Sequence, residues 1–389
     1  MRRLLTIAIA TVTAFTTSAG AWSTKEHIQI TRIAAMQMIE SADTPEGMKA
    51  WLKEAVPGIT DMNGEKEFFM RGRTGAYPRG ADGIPFWAVV PDMNTMTDKY
   101  NKKLEPLKIP EGPMHFFELE FYGSNPPDKT ADTKPKATGK ELLNTSPQSE
   151  ASRPAQMPDV ENKPKLSEIS RDTSNVKRLN DGGALPWRAQ EVYDKLVEQI
   201  KADRLNDKLG QFPRDEHAAY YAGFLAHYLQ DATQPHHGTW DYRSRAYFPP
   251  GTKAPNTHEI VEWRMADDDV ADNMELREAF WPLFEKAVAE TTDPATDGKD
   301  IWEQSILTVM YSYDSLPLIG EASVAAWDKD AKTDDTRTEG AIDINRFYNH
   351  RGTVHGREMS VLELKAHQQG IAIRRTKAAW LAAWNEAKN

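Results

Sequence analysis

The sequence predicts an all-α fold. Apolar residues recur at intervals of three and four over most of the chain, no convincing set of alternating strands separates those segments, and helix-start residues stand at the head of two of them. "STKEHIQITRIAAMQMIE" (23–40) opens on Ser23 or Thr24 as a cap, and "PWRAQEVYDKLVEQIKADRL" (186–205) follows Pro186 at a first helical turn. "DEHAAYYAGFLAHYLQD" (215–231), "HEIVEWRMADDDVADNMELREAFWPLFEKAVAE" (258–290), "IWEQSILTVMYSYDSL" (301–316) and "LELKAHQQGIAIRRTKAAWLAAWNEA" (362–387) continue the pattern. No internal repeat is visible.

Two segments fall outside it. Residues 1–21 read as a signal peptide: Arg2 and Arg3 form a positive start, "LLTIAIATVTAF" an apolar run, and Ala19-Gly20-Ala21 a small-residue cleavage site. A secreted or periplasmic protein starting at Trp22 is expected. The apolar run is too short to span a bilayer, and no other stretch approaches the roughly 20 apolar residues a spanning helix needs. Residues 124–180 are rich in Pro, Lys, Ser, Thr and Asp, with almost no aromatic residue. Such a stretch buries too little apolar surface to offset an ordering entropy of ~1–2 kcal/mol per residue. It is expected to be a disordered or loosely draped insertion in one helical domain, with a mobile lid as the other reading.

Residues 22–389 suffice for one large domain or two ordinary ones. The formal net charge of the whole chain is −10, and loss of Arg2 and Arg3 makes the remainder more negative still. That disfavours a protein that coats DNA through a broad basic surface, while leaving room for one local cationic site. With no cysteine, disulfides, thiolate metal sites and cysteine nucleophiles are all excluded. Any metal must sit on His, Asp, Glu or backbone.

The chemistry concentrates in "YYAGFLAHYLQDATQPHHGTW" (220–240). On a helix, Tyr220, Phe224, His227 and Asp231 share one stripe that continues the apolar face, so the polar pair points inward. The two stand roughly 6 Å apart along the axis, within reach of one cation or of two neighbouring ones. A buried His–Asp hydrogen bond is the plain alternative. His236 and His237 follow at once, which gives four candidate ligands in a short span. "THEIVEWR" adds His258 and Glu262 at i and i+4, a spacing that is also common for exposed pairs. His115 in "GPMHFFELE" and Asp92 in "VPDMN" are lone residues of a kind that more often serves core or turn. "AGAW" alone reads more readily as an ordinary cleavage site followed by a core tryptophan.

Taken in order, these residues resemble the zinc-dependent phospholipase C family and its relatives, the single-strand-specific nucleases of fungal type. The match rests on Trp22 and His27 at the start, Asp92 then His115, the His-x3-Asp-x5-His run of His227, Asp231 and His237 in "HYLQDATQPHH", and the closing pair His258 and Glu262. "GALPWRAQEVYDKL" also looks like bacterial members. The resemblance covers nearly all of 22–389 apart from 124–180.

It implies a single helical domain around a trinuclear site holding about three Zn(II) ions. One zinc falls to Asp92, His115, His227 and Asp231, and a second to His237, His258 and Glu262. The third falls to Trp22, through its free amino nitrogen and carbonyl oxygen, and to His27, with Asp231 bridging to the first. Nitrogen and oxygen donors of this kind suit zinc. The implied activity is phosphodiester hydrolysis by a metal-bound hydroxide, with Asp92 as the catalytic residue that orients or deprotonates the nucleophile. Phe116, Phe117 and Tyr122 are weaker candidates for a substrate wall, since aromatics in such segments usually serve the core.

Glu262 and "LAHYLQD" lean toward a phospholipase C. A single-strand-specific nuclease or 3′-nucleotidase is the alternative, and a non-catalytic secreted zinc-containing binding protein a further one. The partners expected are phospholipid, with transient contact to a membrane surface, or single-stranded nucleic acid. Three departures from the family pattern stand out: Asp92 and His115 lie further apart than usual, the insertion is long, and His236 competes with His237. Asp98 is the reserve for the role given to Asp92. Oligomeric state and headgroup or base preference leave no mark in the sequence.

Overall fold

The computed structural model describes residues 22–59, 61–71, 82–92, 111–122, 155–172, 179, 182–205, 218–266, 273–291, 299–333 and 338–388. The signal-peptide segment, Asp98, and residues 124–154, 173–178 and 180 of the insertion lie outside them. Ser23 caps the first helix, α1 (Thr24–Glu40), through a reciprocal box in which its hydroxyl accepts from the Glu26 amide and the Glu26 carboxylate accepts from the Ser23 amide. Three short helices follow, α2 (Glu46–Ala55), α3 (Met62–Met70) and α4 (Ile84–Trp87), and then α5 (Leu185–Leu205) and α6 (Ala218–Asp231). The second half adds α7 (Met274–Glu290), α8 (Ile301–Tyr313), α9 (Leu316–Ala325), α10 (Ile344–Asn349) and α11 (Val361–Glu386). The protein is mostly helical, as its periodicity predicts.

α6 is the central element: each of its residues is buried, as expected of a helix apolar on every side. It packs against α1, α4, α5 and α11. Ile30, Ile33, Phe224, Leu225 and Trp380 are shut off from water between these helices, each contributing about 1.5–3 kcal/mol by burial. Trp380 of α11 also donates its indole hydrogen to the Ala222 carbonyl of α6 (3.0 Å). Gly223 sets how closely α4 approaches. A Cβ there would fall 2.7 Å from both the Ile84 oxygen and the Trp87 carbonyl carbon, so only glycine lets α4 lie directly on α6.

The long pattern over 258–290 is not one helix. A turn at Thr257–Glu259 passes into a π-helical turn at Ile260–Arg264, and α7 begins anew at Met274. Two small antiparallel hairpins also appear, β1 (Trp327–Asp328) with β2 (Ala341–Ile342), and β3 (Arg351–Val354) with β4 (Arg357–Ser360). These strands are too short to show alternation in sequence. His355 and Gly356 turn the second hairpin with positive φ at both positions (51° and 73°), the primed geometry that suits a two-residue connection.

Residues 155–172, inside the segment expected to be disordered or loosely draped, are held along α8. The Asp159 amide donates to Tyr313 Oη (3.1 Å), Lys163 pairs with Asp314, and Trp187 Nε1 donates to the Arg171 carbonyl (3.0 Å). Ile169 is buried as the apolar anchor. Polar composition hides these contacts because they go mainly to backbone and charged groups. Among the described residues, no helix is long and apolar enough to cross a membrane.

Candidate metal centre

The last turn of α6 points His227 and Asp231 into the interior, and three other elements close on them. α4 lies on α6 at Gly223 and leads directly into the turn Val90–Asp92. This places the Ala88 carbonyl 2.8 Å from His227 Nδ1 and brings Asp92 Oδ1 to 3.7 Å from His227 Nε2. The 3-10 turn Gly112–His115 supplies His115, whose Nδ1 is 2.9 Å from His227 Nε2, 3.0 Å from Asp231 Oδ2 and 3.6 Å from Asp92 Oδ1. α1 supplies His27, whose Nε2 is 3.5 Å from Asp231 Oδ1 and 3.9 Å from Asp92 Oδ2. The sets His27, His227, Asp231 and Asp92, His115, His227 each converge tightly enough to hold a metal ion.

Four ligand atoms about 2.0–2.1 Å from a tetrahedral zinc stand roughly 3.3 Å from one another. Five of the six separations among Asp92, His115, His227 and Asp231, from 2.9 to 3.7 Å, scatter around that value. The hydrogen bonds behind the ligands also fit. His27 Nδ1 lies 2.6 Å from Gln230 Oε1, and His227 Nδ1 faces the Ala88 carbonyl, so each ring donates outward through Nδ1 and turns Nε2 inward. Burial, with His227 beside it, pulls the His27 pKa down to about 3, so the ring is neutral and its Nε2 carries a lone pair. His27 Nε2, Asp92 Oδ1 and Asp231 Oδ1 are buried and make no hydrogen bond. Buried acceptors facing one another are costly unless a cation lies between them.

Burial also acts on the other members. It lowers the His227 pKa, but Asp231 and Asp92 outweigh it and lift the value to about 9. Asp231 is held far below the usual carboxylate range: burial opposes this, and His227 and His115 overcome it. Asp92 is pushed up by burial, with Asp231 and Glu111 adding repulsion. The cluster therefore binds positive charge strongly, and in the absence of metal a proton on His227 supplies it.

A second group lies alongside. His237, on the 3-10 turn Pro235–Gly238, directs Nδ1 at the His115 carbonyl and Nε2 at His258 Nε2 (3.2 Å). His258 Nε2 is in turn 3.6 Å from Glu262 Oε2 across the π-helical turn. Burial, then the charges of His237 and His236, drive the His258 pKa well down, while burial and Asp92 drive that of Glu262 well up. Of the two adjacent histidines, His237 faces this group. His236 is buried beside Ser244, whose Oγ is 3.4 Å from its Nε2.

The structure thus brings together His27, Asp92, His115, His227 and Asp231, and sets His237, His258 and Glu262 beside them. Trp22 sits under the same turn of α6, its indole Nε1 donating to the Gln230 carbonyl (3.0 Å) and to Thr233 Oγ1 (3.1 Å). Phe117 and Tyr122, candidates for a substrate wall, lie in the core. Both are buried and pack on each other and on Trp187, with ring centroids 4.2, 5.8 and 6.0 Å apart, and the Tyr122 hydroxyl donates to the Gly183 carbonyl (2.5 Å). Phe116 is half-buried.

Several supporting groups escape the sequence reading. Gln230 orients His27. Glu111, one turn before His115, has Oε1 3.9 Å from His115 Nε2, accepts from the Tyr228 hydroxyl, and lies 3.3 Å from Arg188 Nη2. Its signal is the spacing to His115 in "EGPMH", and that of Gln230 is its place one turn after His227. Comparison of the chain with protein-family models, with curated proteins and with solved structures finds no match.

Proposed function

We propose that the protein is a secreted zinc-dependent phosphodiesterase of the phospholipase C type, with about three zinc ions per chain. The observation that carries this reading is the set of unpartnered donors at His27 Nε2, Asp92 Oδ1 and Asp231 Oδ1, buried beside His115 and His227 and backed by Gln230 and the Ala88 carbonyl. One ion is assigned to Asp92, His115, His227 and Asp231, a second to His237, His258 and Glu262, and a third to Trp22 and His27 with Asp231 shared. Zinc at these positions supplies Lewis acidity toward phosphoryl oxygens and acidifies water near neutral pH.

The chain's own residues do the rest. Asp92, His258 and Glu262 each leave 10% of the side chain exposed, whereas His27, His227 and Asp231 leave none. Substrate therefore approaches over Asp92 and Glu262. Asp92, whose side chain keeps partial exposure where that of Asp231 has none, is the group best placed to orient the attacking water and take its proton. The carboxylates of Asp92, Asp231 and Glu262 cancel only part of the charge that three zinc ions bring, so a phosphodiester anion is attracted. The acidic chain as a whole repels polyanions, which favours a phospholipid over single-stranded nucleic acid.

The deciding experiment is hydrolysis of a phosphatidylcholine dispersion and of single-stranded DNA side by side, with and without chelator. Chelator-sensitive release of phosphocholine is expected. Turnover of DNA alone would move the site to the nuclease reading. No turnover of either substrate by protein with its full metal content would leave a zinc-containing binding protein.

A further inference from the structure

We propose that Lys365 of α11 is a positioning residue that ties the Trp22–His27 segment to the Glu262 turn, so that the metal position at Trp22 and His27 and the one at Glu262 keep their geometry together. The inference rests on the metal reading above and assigns Lys365 no contact with substrate.

Lys365 is 2% exposed, and its ammonium group meets both segments. On one side Nζ is 2.8 Å from Glu26 Oε1 and 5.0 Å from the centroid of the Trp22 ring. On the other it donates to the Val261 carbonyl (2.5 Å) and lies 3.4 Å from the Glu262 carbonyl. Glu26 immediately precedes His27. Its second oxygen accepts from the Ser23 amide (3.2 Å), which fixes the residue after Trp22, and Gln369 Nε2 donates to its first (2.8 Å). One carboxylate therefore holds the start of α1, and one ammonium joins that carboxylate to the backbone under Glu262.

The π-helical turn explains why a cation is used there. A π turn shifts the carbonyl ladder by one residue and is rare outside functional sites. Lys365 takes two successive carbonyls of that turn, at Val261 and Glu262, and the Glu262 side chain then faces His258. Little slack remains: the cavity bounded by Trp22, Pro235, Val261, Leu364, Lys365 and Gln368 is about 10 Å³, room for about one water. The four ligands Asp92, His115, His227 and Asp231 hang instead on α6, on the turn after α4 and on the 3-10 turn at His115. None of these is held by Lys365.

The test compares wild type, Lys365→Met and the double variant Lys365→Met/Glu26→Gln, reading zinc affinity by chelator competition and the melting temperature of metal-free protein. Lys365→Met alone leaves Glu26 buried without its cation, so metal-free protein should melt lower. The double variant removes both charges and should regain much of that loss. If Lys365 positions the metal sites, two zinc ions stay about 10- to 100-fold weaker in both variants while the ion at Asp92, His115, His227 and Asp231 keeps its wild-type affinity. Wild-type affinity at all sites in the double variant, or an equal loss at every site that tracks melting temperature, would reduce Lys365 to a packing residue. Should the Met variants fail to fold, Lys365→Arg decides in the same way, since the bulkier, rigid guanidinium keeps the charge but not the compact geometry by which one ammonium meets Glu26 and two carbonyls. A wild-type protein that holds one zinc or none overturns the metal reading itself, before any variant is compared.

Discussion

His27 Nε2 and Asp231 Oδ1 face each other across 3.5 Å in the interior, and neither makes a hydrogen bond. The other nitrogen of His27 is committed to Gln230 and the other oxygen of Asp231 to His115 and His227. Asp231 thus faces His27 with one oxygen and His115 and His227 with the other, and on the proposed assignment two ions share it. Asp231→Asn should release two zinc ions, not one, and lower turnover by at least about a hundredfold, because a neutral amide neither balances the cations nor fixes His115. Elemental analysis of the folded variant checks this. Loss of a single ion would show that Asp231 is not shared.

Gly223 links the helix packing to the ligands. Alanine there puts a Cβ 2.7 Å from the Ile84 oxygen, and relief requires α4 to move off α6. Overpacking of this kind costs about 1–3 kcal/mol. Since α4 leads to the Ala88 carbonyl and Asp92, Gly223→Ala should also weaken the metal position at Asp92, His115, His227 and Asp231. Paired thermal melts and zinc titrations test it: a lower melting temperature with unchanged zinc affinity would separate α4 from the site.

Some of this was legible in the sequence and some was not. His227 and Asp231 share a stripe of a regular helix, so their inward direction follows from spacing alone. The carbonyl of Ala88 leaves no trace in sequence, because every residue offers one. Lys365 lies 103 positions from Glu262, and a lysine on a mostly apolar helix reads as a solvated charge until α1 and the π-helical turn are packed against it. That turn is itself a tertiary effect: "HEIVEWR" has ordinary helical periodicity. The direction of Phe117 and Tyr122 is likewise not legible, since an aromatic beside a ligand can face either the pocket or the core, and here both pack on Trp187.

Away from the metal centre, His367 sets an acid limit on stability. Its Nε2 is 2.9 Å from the Tyr311 hydroxyl, and burial, followed by the charges of Arg357 and His355, holds its pKa down to about 4. As pH falls, the unfolded chain takes a proton near the ordinary 6.5 while the folded chain refuses it until about 4. Stability is therefore complete above 6.5 and is lost between those values, by about 1–2 kcal/mol once partial solvent screening is allowed for. His367→Gln keeps an acceptor for Tyr311 and removes the titration. Its melting temperature should fall less than that of wild type between pH 8 and pH 5. Equal falls in both proteins would dismiss the role of His367.

The start of α1 offers the sharpest test of the trinuclear reading. Trp22 is anchored on both sides, by its indole against Gln230 and Thr233 and by the Ser23 amide against Glu26. A chain beginning at Trp22 would present a free amine there, a good zinc ligand once its proton is lost, whereas an internal amide nitrogen is a poor one. One added residue, for instance Met before Trp22, converts the amine to an amide and leaves the indole anchor and the capping box in place. The fold and the two zinc ions on Asp92, His115, His227, Asp231 and on His237, His258, Glu262 should survive. The third zinc should weaken or be lost, and turnover should fall by about a hundredfold, equivalent to ~3 kcal/mol of lost stabilisation of transition-state charge. Two preparations suffice, one starting at Trp22 and one extended. Equal zinc content and equal rates would remove Trp22 from the ligand set and leave His27 and Asp231 to share a cation without it.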